Sequence, residues 1–521
     1  MASSDFWTTL GTNGSDVERV YGFVLERGVP VSSRELAHYL ITWHVQEEAR
    51  RLAEIAARSA PVYQPKENYS IGQHLIFTAL DNREGVVTQI RPGDNPRIGN
   101  FQVMTVELES ETKPREFAME YTAAHPLNAE RTPLIDLAIK PEQAIAQYGE
   151  SVRTRLVQRL SVDKEFVHLD DGWFLRGLIP DIHSGYLNLA EAAIEQTGDA
   201  LRTPDLLKIL EIPETTKKSA AIFALNLALA NDPRFEDVGP LDDPRWFLER
   251  LEPTEARERP QILESSPVRK TNLSAELEMI AAELFDEADL NGDANVPPVT
   301  SPRDEITLIL TYPHRRAGTL PLTLPVRALL PQFKHPRLRF NFIDSATQEK
   351  FAGYAVADGC YIAGLTHWFN ARKLSPGAYV MLRRGTDPLT IFIDYQPQRE
   401  RSLWVRVARG ENGHLIFSQE KKPLSHKYDE DMLILIGDPL GLEAAAQRAR
   451  EQHSLAILLQ EIFPELAKLS GAGRVHAKTL YSAVNLMRRV GPRAVLSTLT
   501  ESRAFNSVGG GYFVLTEEAR R

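Results

Sequence analysis

Cysteine is nearly absent from this chain: 521 residues contain one, Cys360. An intramolecular disulfide and a cysteine-ligated zinc site are therefore excluded, and a reducing, cytoplasmic setting is expected. Cys360 lies between the apolar stretches Tyr354-Ala-Val and Tyr361-Ile-Ala, which predicts a buried, inert thiol. Long hydrophobic runs are also missing. The longest apolar helical stretch, residues 221–230, is far too short to span a bilayer, so no membrane association is expected. The first residues, Met1-Ala-Ser-Ser-Asp-Phe-Trp, do not read as a signal peptide. No His-Glu-x-x-His, Gly-x-Ser-x-Gly, phosphate-binding loop or dinucleotide fingerprint occurs. The thirteen histidines are scattered. His183 and His367 adjoin hydroxyl residues but lack the third partner that nucleophilic catalysis needs. The expectation is a protein without catalytic activity, cofactor, metal or small-molecule substrate.

What is present is a recurring short pattern. Phe166-Val-His-Leu-Asp-Asp-Gly-Trp173-Phe174-Leu175 is one copy. Residues 235–248, from Phe235 through Asp242-Asp-Pro-Arg to Trp246-Phe247-Leu248, are a second. Phe505-Asn-Ser-Val-Gly-Gly-Gly-Tyr512-Phe513-Val514 is a third. An aromatic, an aliphatic, a turn rich in Gly, Asp or Pro and then paired aromatics spell two short strands around a tight turn. Each copy follows helical sequence, the layout of a winged helix, a fold widely used on nucleic acid.

Charge is distributed unevenly. Residues 311–410 hold fifteen Lys/Arg and six Asp/Glu, a net +9 against −10 for the whole chain, so the remainder carries −19. Residues 271–300 hold seven acidic and no basic residues; residues 471–500 hold five basic and no acidic ones. Screening confines repulsion to about 8–10 Å, so a basic module in an acidic chain can still bind phosphate locally.

Hydrophobic periodicity divides the chain into a multidomain α+β protein of winged-helix domains and small β-barrels. Residues 1–60 read as a helical helix-turn-helix-like segment with no wing of its own. Residues 62–130 read as four or five short strands, the texture of a small SH3-like barrel. Residues 131–180 and 181–253 read as two winged helices, and 254–302 as an acidic linker. Alternating apolar and polar residues over 303–425, with Leu403–Ala408 as one strand, predict a basic β-pseudobarrel. Residues 440–521 read as a C-terminal winged helix.

Two segments resemble known families. Leu201-Arg-Thr-Pro-Asp-Leu-Leu and Asp232-Pro-Arg-Phe235…Trp246-Phe-Leu make residues 185–253 similar to HARE-type helix-turn-helix domains, which include the N-terminal domain of bacterial RNA polymerase delta subunits. Pro240-Leu-Asp-Asp-Pro lengthens the hairpin beyond that family's tight turn. Leu320-Pro-Leu-Thr-Leu-Pro, Tyr361-Ile-Ala-Gly-Leu-Thr-His-Trp-Phe and Leu374-Ser-Pro-Gly377-Ala378-Tyr-Val-Met-Leu-Arg-Arg make 303–400 resemble the DNA-binding pseudobarrel of plant transcription factors and some restriction enzymes. Ala378 stands where that family usually has an acidic residue. The resemblances imply transcription-associated or genome-defence recognition of DNA.

Nucleic-acid contacts need Lys and Arg for phosphates, and Arg also reads guanine edges. The candidates in the barrel are Arg315, Arg316, Lys334, Arg337, Arg339, Arg372, Lys373, Arg383 and Arg384, on one surface. Those in the winged helices are Arg153, Arg155, Arg159, Lys478, Arg488, Arg489 and Arg493. The expected partner is DNA, as duplex, with other proteins such as transcription machinery as further partners. A protein-interaction scaffold is the alternative, favoured by the overall acidity. A third reading is a metal-dependent nuclease, in which Asp394 and Glu420 hold a cation and Lys422 positions water. Residues 287–293 imitate half of a calcium loop, but Pro298 stands where the closing Glu belongs, so calcium binding is not expected.

Overall fold

The structure, a computed structural model, describes residues 4–58, 60–80, 83–94, 100–109, 113–123, 125–128, 140–211, 217–265, 272–284, 286–289, 304–451 and 454–520. The chain is mixed α and β and forms two compact units. One is Met1–Asp181 with Pro213–Ala224; the other is Ile182–Ile212 with Leu225–Arg521.

One topological pattern occurs three times: helix, two-residue strand, helix, helix, hairpin. The first copy uses Gly14–Arg27, Val31–Ser32, Ser33–Arg58, Pro141–Ser161, Phe166–Leu169 and Gly172–Leu175. The second uses Ser184–Thr197, Leu201–Arg202, Thr203–Ile209, Lys218–Ala230, Phe235–Asp237 and Arg245–Leu248. The third uses Leu455–Ala467, Val475–His476, Ala477–Val484, Pro492–Glu501, Phe505–Gly509 and Tyr512–Leu515. In each, the last strand is central, flanked by the two-residue strand and the first hairpin strand.

Sequence dictates this pattern locally. The first helix of the first two copies ends on a left-handed glycine, Gly28 (φ 59°) and Gly198 (φ 65°), a conformation that costs other residues strain. A short strand follows, then a leucine in the next helix that is fully buried: Leu36, Leu206 and Leu480. The strand pairs Val31 with Trp173, Leu201 with Trp246 and Val475 with Phe513. In the second copy the Trp246 indole N–H reaches Thr203 Oγ1 (3.1 Å) and Asn226 Oδ1 (2.9 Å), so the buried ring keeps its polar atom satisfied.

This register corrects two sequence expectations. The helical segment at 1–60 is not closed by itself: its strand Val31–Ser32 pairs with the 166–175 hairpin, and the strands between His74 and Met119 are inserted between the two halves of a single repeat. In the third copy the counterpart of Trp173 and Trp246 is Phe513, not Tyr512, because Phe505 pairs with Leu515 across a bulge between Ser507 and Gly509. Gly509, Gly510 and Gly511 all have positive φ, and the bulge absorbs the extra residue.

The insertion is a four-stranded antiparallel meander of His74–Phe77, Arg83–Pro92, Gln102–Leu108 and Arg115–Met119. Leu75, Phe77, Val87, Met104 and Val106 fill its core. In the second unit a seven-stranded sheet curls around Leu338, Phe340, Phe342, Leu382 and Ile393. Its edges are Glu305–Ile309 and Leu320–Pro321, so it is a half-barrel rather than a closed one. The strand containing Leu403–Ala408, expected within this barrel, lies elsewhere. Pro397–Glu411 and His414–His426 form a long ribbon that joins Ile434–Ile436 in a separate three-stranded sheet. Ala408, Leu415 and Phe417 at one end of the ribbon pack into the core of the third repeat.

Candidate nucleic-acid interface

The half-barrel does not gather its arginines on one open surface. Strand Arg337–Asp344 alternates, with Leu338, Phe340 and Phe342 inward and Arg337 and Arg339 outward. Those two outward arginines are covered by the second repeat. Arg337 Nε donates to Glu236 (2.9 Å) and lies 3.2 Å from Glu252, and Arg339 pairs with Asp199. Around them, Arg339 N donates to Val238 O (2.9 Å) and Leu241 N to Gln332 O (2.8 Å). Burial, with Glu236 close by, pushes the Glu252 carboxyl up to about 8 despite Arg337.

Other barrel cations also serve the fold. Arg315 donates to Leu374 O (2.7 Å) and Asn370 Oδ1 (2.8 Å), and Arg384 donates to Ala328 O. Arg372 Nη2 and the Trp368 indole N–H both reach Asp344 Oδ2, at 2.6 and 2.5 Å. Burial works to raise the Asp344 carboxyl, but these donors and the amides of Thr347 and Ala346 hold it at about 2. Arg383 is exposed and its guanidinium sits 4.6 Å from the Phe392 ring centre. Lys334, Lys373 and Arg316 are exposed.

The repeats treat their cations similarly. Arg153 pairs with Glu150 (2.5 Å) and Arg159 with Asp163 (3.4 Å), while Arg155 donates to Trp7 O (2.6 Å) and Leu10 O (3.2 Å). Lys478 and Arg489 are not surface residues: they are 7% and 5% exposed. Lys478 Nζ meets Glu283 (2.6 Å) and Asp429 (2.9 Å). Arg489 bridges Asp286 and Glu287 (2.8 Å), and Arg493 meets Glu278 (2.5 Å). His314 Nε2 lies 2.9 Å from the same Glu287. Burial opposes the charge on Glu287, but Arg489 and His314 hold its carboxyl far below the carboxylate range. Within the stretch expected to be an acidic linker, Glu278, Glu283, Asp286 and Glu287 are thus counter-charges of the third repeat, while Ala256 and Leu263 pack against Tyr354 and Tyr361. The rest of the calcium-loop imitation, residues 290–298, lies outside the described residues.

The nuclease candidates stand apart. Asp394 is on a strand of the seven-stranded sheet and Glu420 on the ribbon. Lys422 and Arg409 hold Glu420 at about 2. Among the described residues no group of three His, Cys, Asp or Glu side chains is placed to hold a metal ion. His183 caps a helix, its Nδ1 accepting from Gly185 N (3.1 Å). A Ser–His contact that sequence reasoning missed, Ser375 Oγ to His426 Nε2 at 2.8 Å, is buried, and His426 Nδ1 has no partner to orient it.

Sequence reasoning also missed the feature best suited to a flexible polyanion. Trp404 is 69% exposed in the middle of the ribbon, directly opposite Lys421. Cross-strand partners share a face, so the ring and the ammonium stand side by side. Residues 397–427 carry seven Lys/Arg and three Glu. Arg399, Arg401, Lys421 and Lys427 are exposed and enter no ion pair among the described residues. Val405, Val407 and Leu424 on the opposite face are buried and anchor the ribbon; Arg401, the cross-strand partner of Leu424, is on that face, so Lys421 is the exposed cation directly beside Trp404.

Comparison with protein families, curated proteins and solved structures finds no match for this chain. No helix among the described residues is long and apolar enough to cross a membrane.

Proposed function

We propose that the chain is a multidomain, non-enzymatic DNA-binding protein whose principal contact is the ribbon of residues 397–427. The observation that carries this reading is Trp404, exposed beside Lys421 on a ribbon whose Arg399, Arg401, Lys421 and Lys427 enter no ion pair among the described residues. A two-stranded ribbon fits the major groove of a duplex. An exposed indole stacks on any base outside the stack, and Lys421 beside it and the other exposed Arg and Lys along the ribbon meet phosphates. In this reading the three repeats are winged helices that serve mainly as architecture: their wing turns carry Asp170 and Asp171, Asp242 and Asp243, or glycines, and their cations are used internally. A transcription-associated or genome-defence setting rests on the resemblance to the HARE-type and pseudobarrel families.

Trp404 is the most exposed of six tryptophans, so its fluorescence reports on the ribbon. Titrating mixed-sequence duplex and single-stranded DNA is expected to quench this emission. Trp404→Ala should weaken binding by about 1–3 kcal/mol, while Trp404→Phe retains most of it. Equal affinity for the wild-type protein and the Ala variant would overturn the assignment.

A further inference from the structure

The second unit contains a cavity of about 580 Å³ whose wall carries four arginines: Arg316, Arg450, Arg488 and Arg489. They come from helix Tyr312–Ala317, helix Pro439–Glu451 and the turn after Ala477–Val484. Two carboxylates, Glu264 and Glu443, share the wall, and Ile262, Leu486 and Met487 supply apolar surface.

The guanidiniums are unequally committed. Arg489 is held by Asp286 and Glu287 with its side chain 1% exposed, so it lends the wall positive charge while the more open arginines are left to contact a ligand. Arg316 donates to the Tyr312 hydroxyl (3.2 Å) and meets Glu443 only at 3.5 Å, with its side chain about half exposed. Arg450 is exposed and enters no ion pair among the described residues. A planar guanidinium fork matches phosphate oxygens two at a time, and the volume is that of a small-molecule site.

We propose that this cavity binds a free, phosphate-bearing small molecule of nucleotide size, with the arginines on the phosphates and Met487 and Ile262 against the organic part. Nothing in the DNA-binding reading requires this site, and it stands or falls separately.

Calorimetric titration of the full chain with ADP, inorganic pyrophosphate and adenosine tests it. ADP and pyrophosphate should bind and adenosine should not. Arg450→Gln and, separately, Arg488→Gln should each weaken ADP binding about tenfold to a hundredfold, the loss of a charge-assisted contact. Arg450 is on a solvent-facing position, so its variant should keep the wild-type unfolding temperature without ligand. Failure of both phosphate-bearing probes to bind, or unchanged ADP affinity in both variants, would refute the site. Tighter, Arg450-dependent binding of a 5′-phosphorylated oligonucleotide than of ADP would overturn the small-molecule assignment and give the cavity to a nucleic-acid end.

Discussion

Replacing Arg489 by Met should loosen the third repeat far more than its position in a turn suggests. The Arg489 and Asp286 side chains are each 1% exposed and Glu287 is 2% exposed. Arg489 also holds Asn485 Oδ1 at 3.1 Å, and Asn485 in turn donates to the Tyr481 and Val490 carbonyls. Met keeps the apolar volume but removes every donor. Two buried carboxylates then remain, with His314 against Glu287 and the Tyr481 hydroxyl against Asp286. Breaking one side of a buried ion pair costs about 3–5 kcal/mol, because the stranded charge stays out of water. That is a large fraction of the roughly 5–15 kcal/mol by which folded domains are stable. Hydrogen exchange of peptides from 455–515 measures the opening of this repeat without assuming that the whole chain unfolds as one. The slowest amides should exchange faster by a factor corresponding to about 3 kcal/mol or more. Adding Asp286→Asn and Glu287→Gln should recover much of the loss, since both sides are then neutral. A change below about 1 kcal/mol in the single variant would refute the buried-clamp reasoning.

Two further outcomes follow from titrating groups. Glu252 is held up at about 8 against an ordinary 4.5, so the folded protein keeps a proton that the unfolded chain releases between those values. Stability from this group is complete below about pH 4.5 and declines as pH rises to 8; Glu252→Gln should therefore raise the melting temperature near pH 8.5 and change it little near pH 5. An advantage confined to acid pH would contradict this. Asp344 shows the opposite sign. Its carboxyl is held at about 2 against 3.8, so its contribution is complete above about pH 4 and is lost as pH falls to 2. Asp344→Ala should destabilise the half-barrel by about 3 kcal/mol in thermal unfolding at neutral pH, by stranding the buried Trp368 indole N–H, and the deficit should shrink in acid.

The fold was legible where short-range chemistry determines it and obscure where distant segments decide. The three hairpins were readable because paired aromatics and turn residues are local signals. The register of the third was not, since three consecutive glycines permit a bulge that no hydrophobic alternation announces. The unity of the first repeat was hidden because its partner strand is only Val31–Ser32, with the four-stranded meander between the halves. Arg337 and Arg339 were readable as an outward face, but alternation cannot say that the second repeat covers it. The opposite charges of 271–300 and 471–500 are visible in the sequence, but composition alone does not say that Asp286 and Glu287 pair with Arg489 in the interior. Trp404 had a signal too: Leu403 and Val405 mark the buried side of that strand, which puts the intervening ring on the open one.

The account's central claim, a phosphate-binding ribbon, is tested most directly by the salt dependence of duplex DNA affinity for the wild-type chain and for Arg399→Gln/Arg401→Gln/Lys421→Gln. Each neutralised phosphate contributes about −0.9 to the slope of log K against log salt concentration. With Arg399, Arg401, Lys421 and Lys427 engaged, the wild-type slope should be about −3 to −4. The triple variant's slope should be shallower by about 3, with much weaker binding at low salt. Identical slopes for the two proteins, or no binding by the wild-type chain at low salt, would contradict the account.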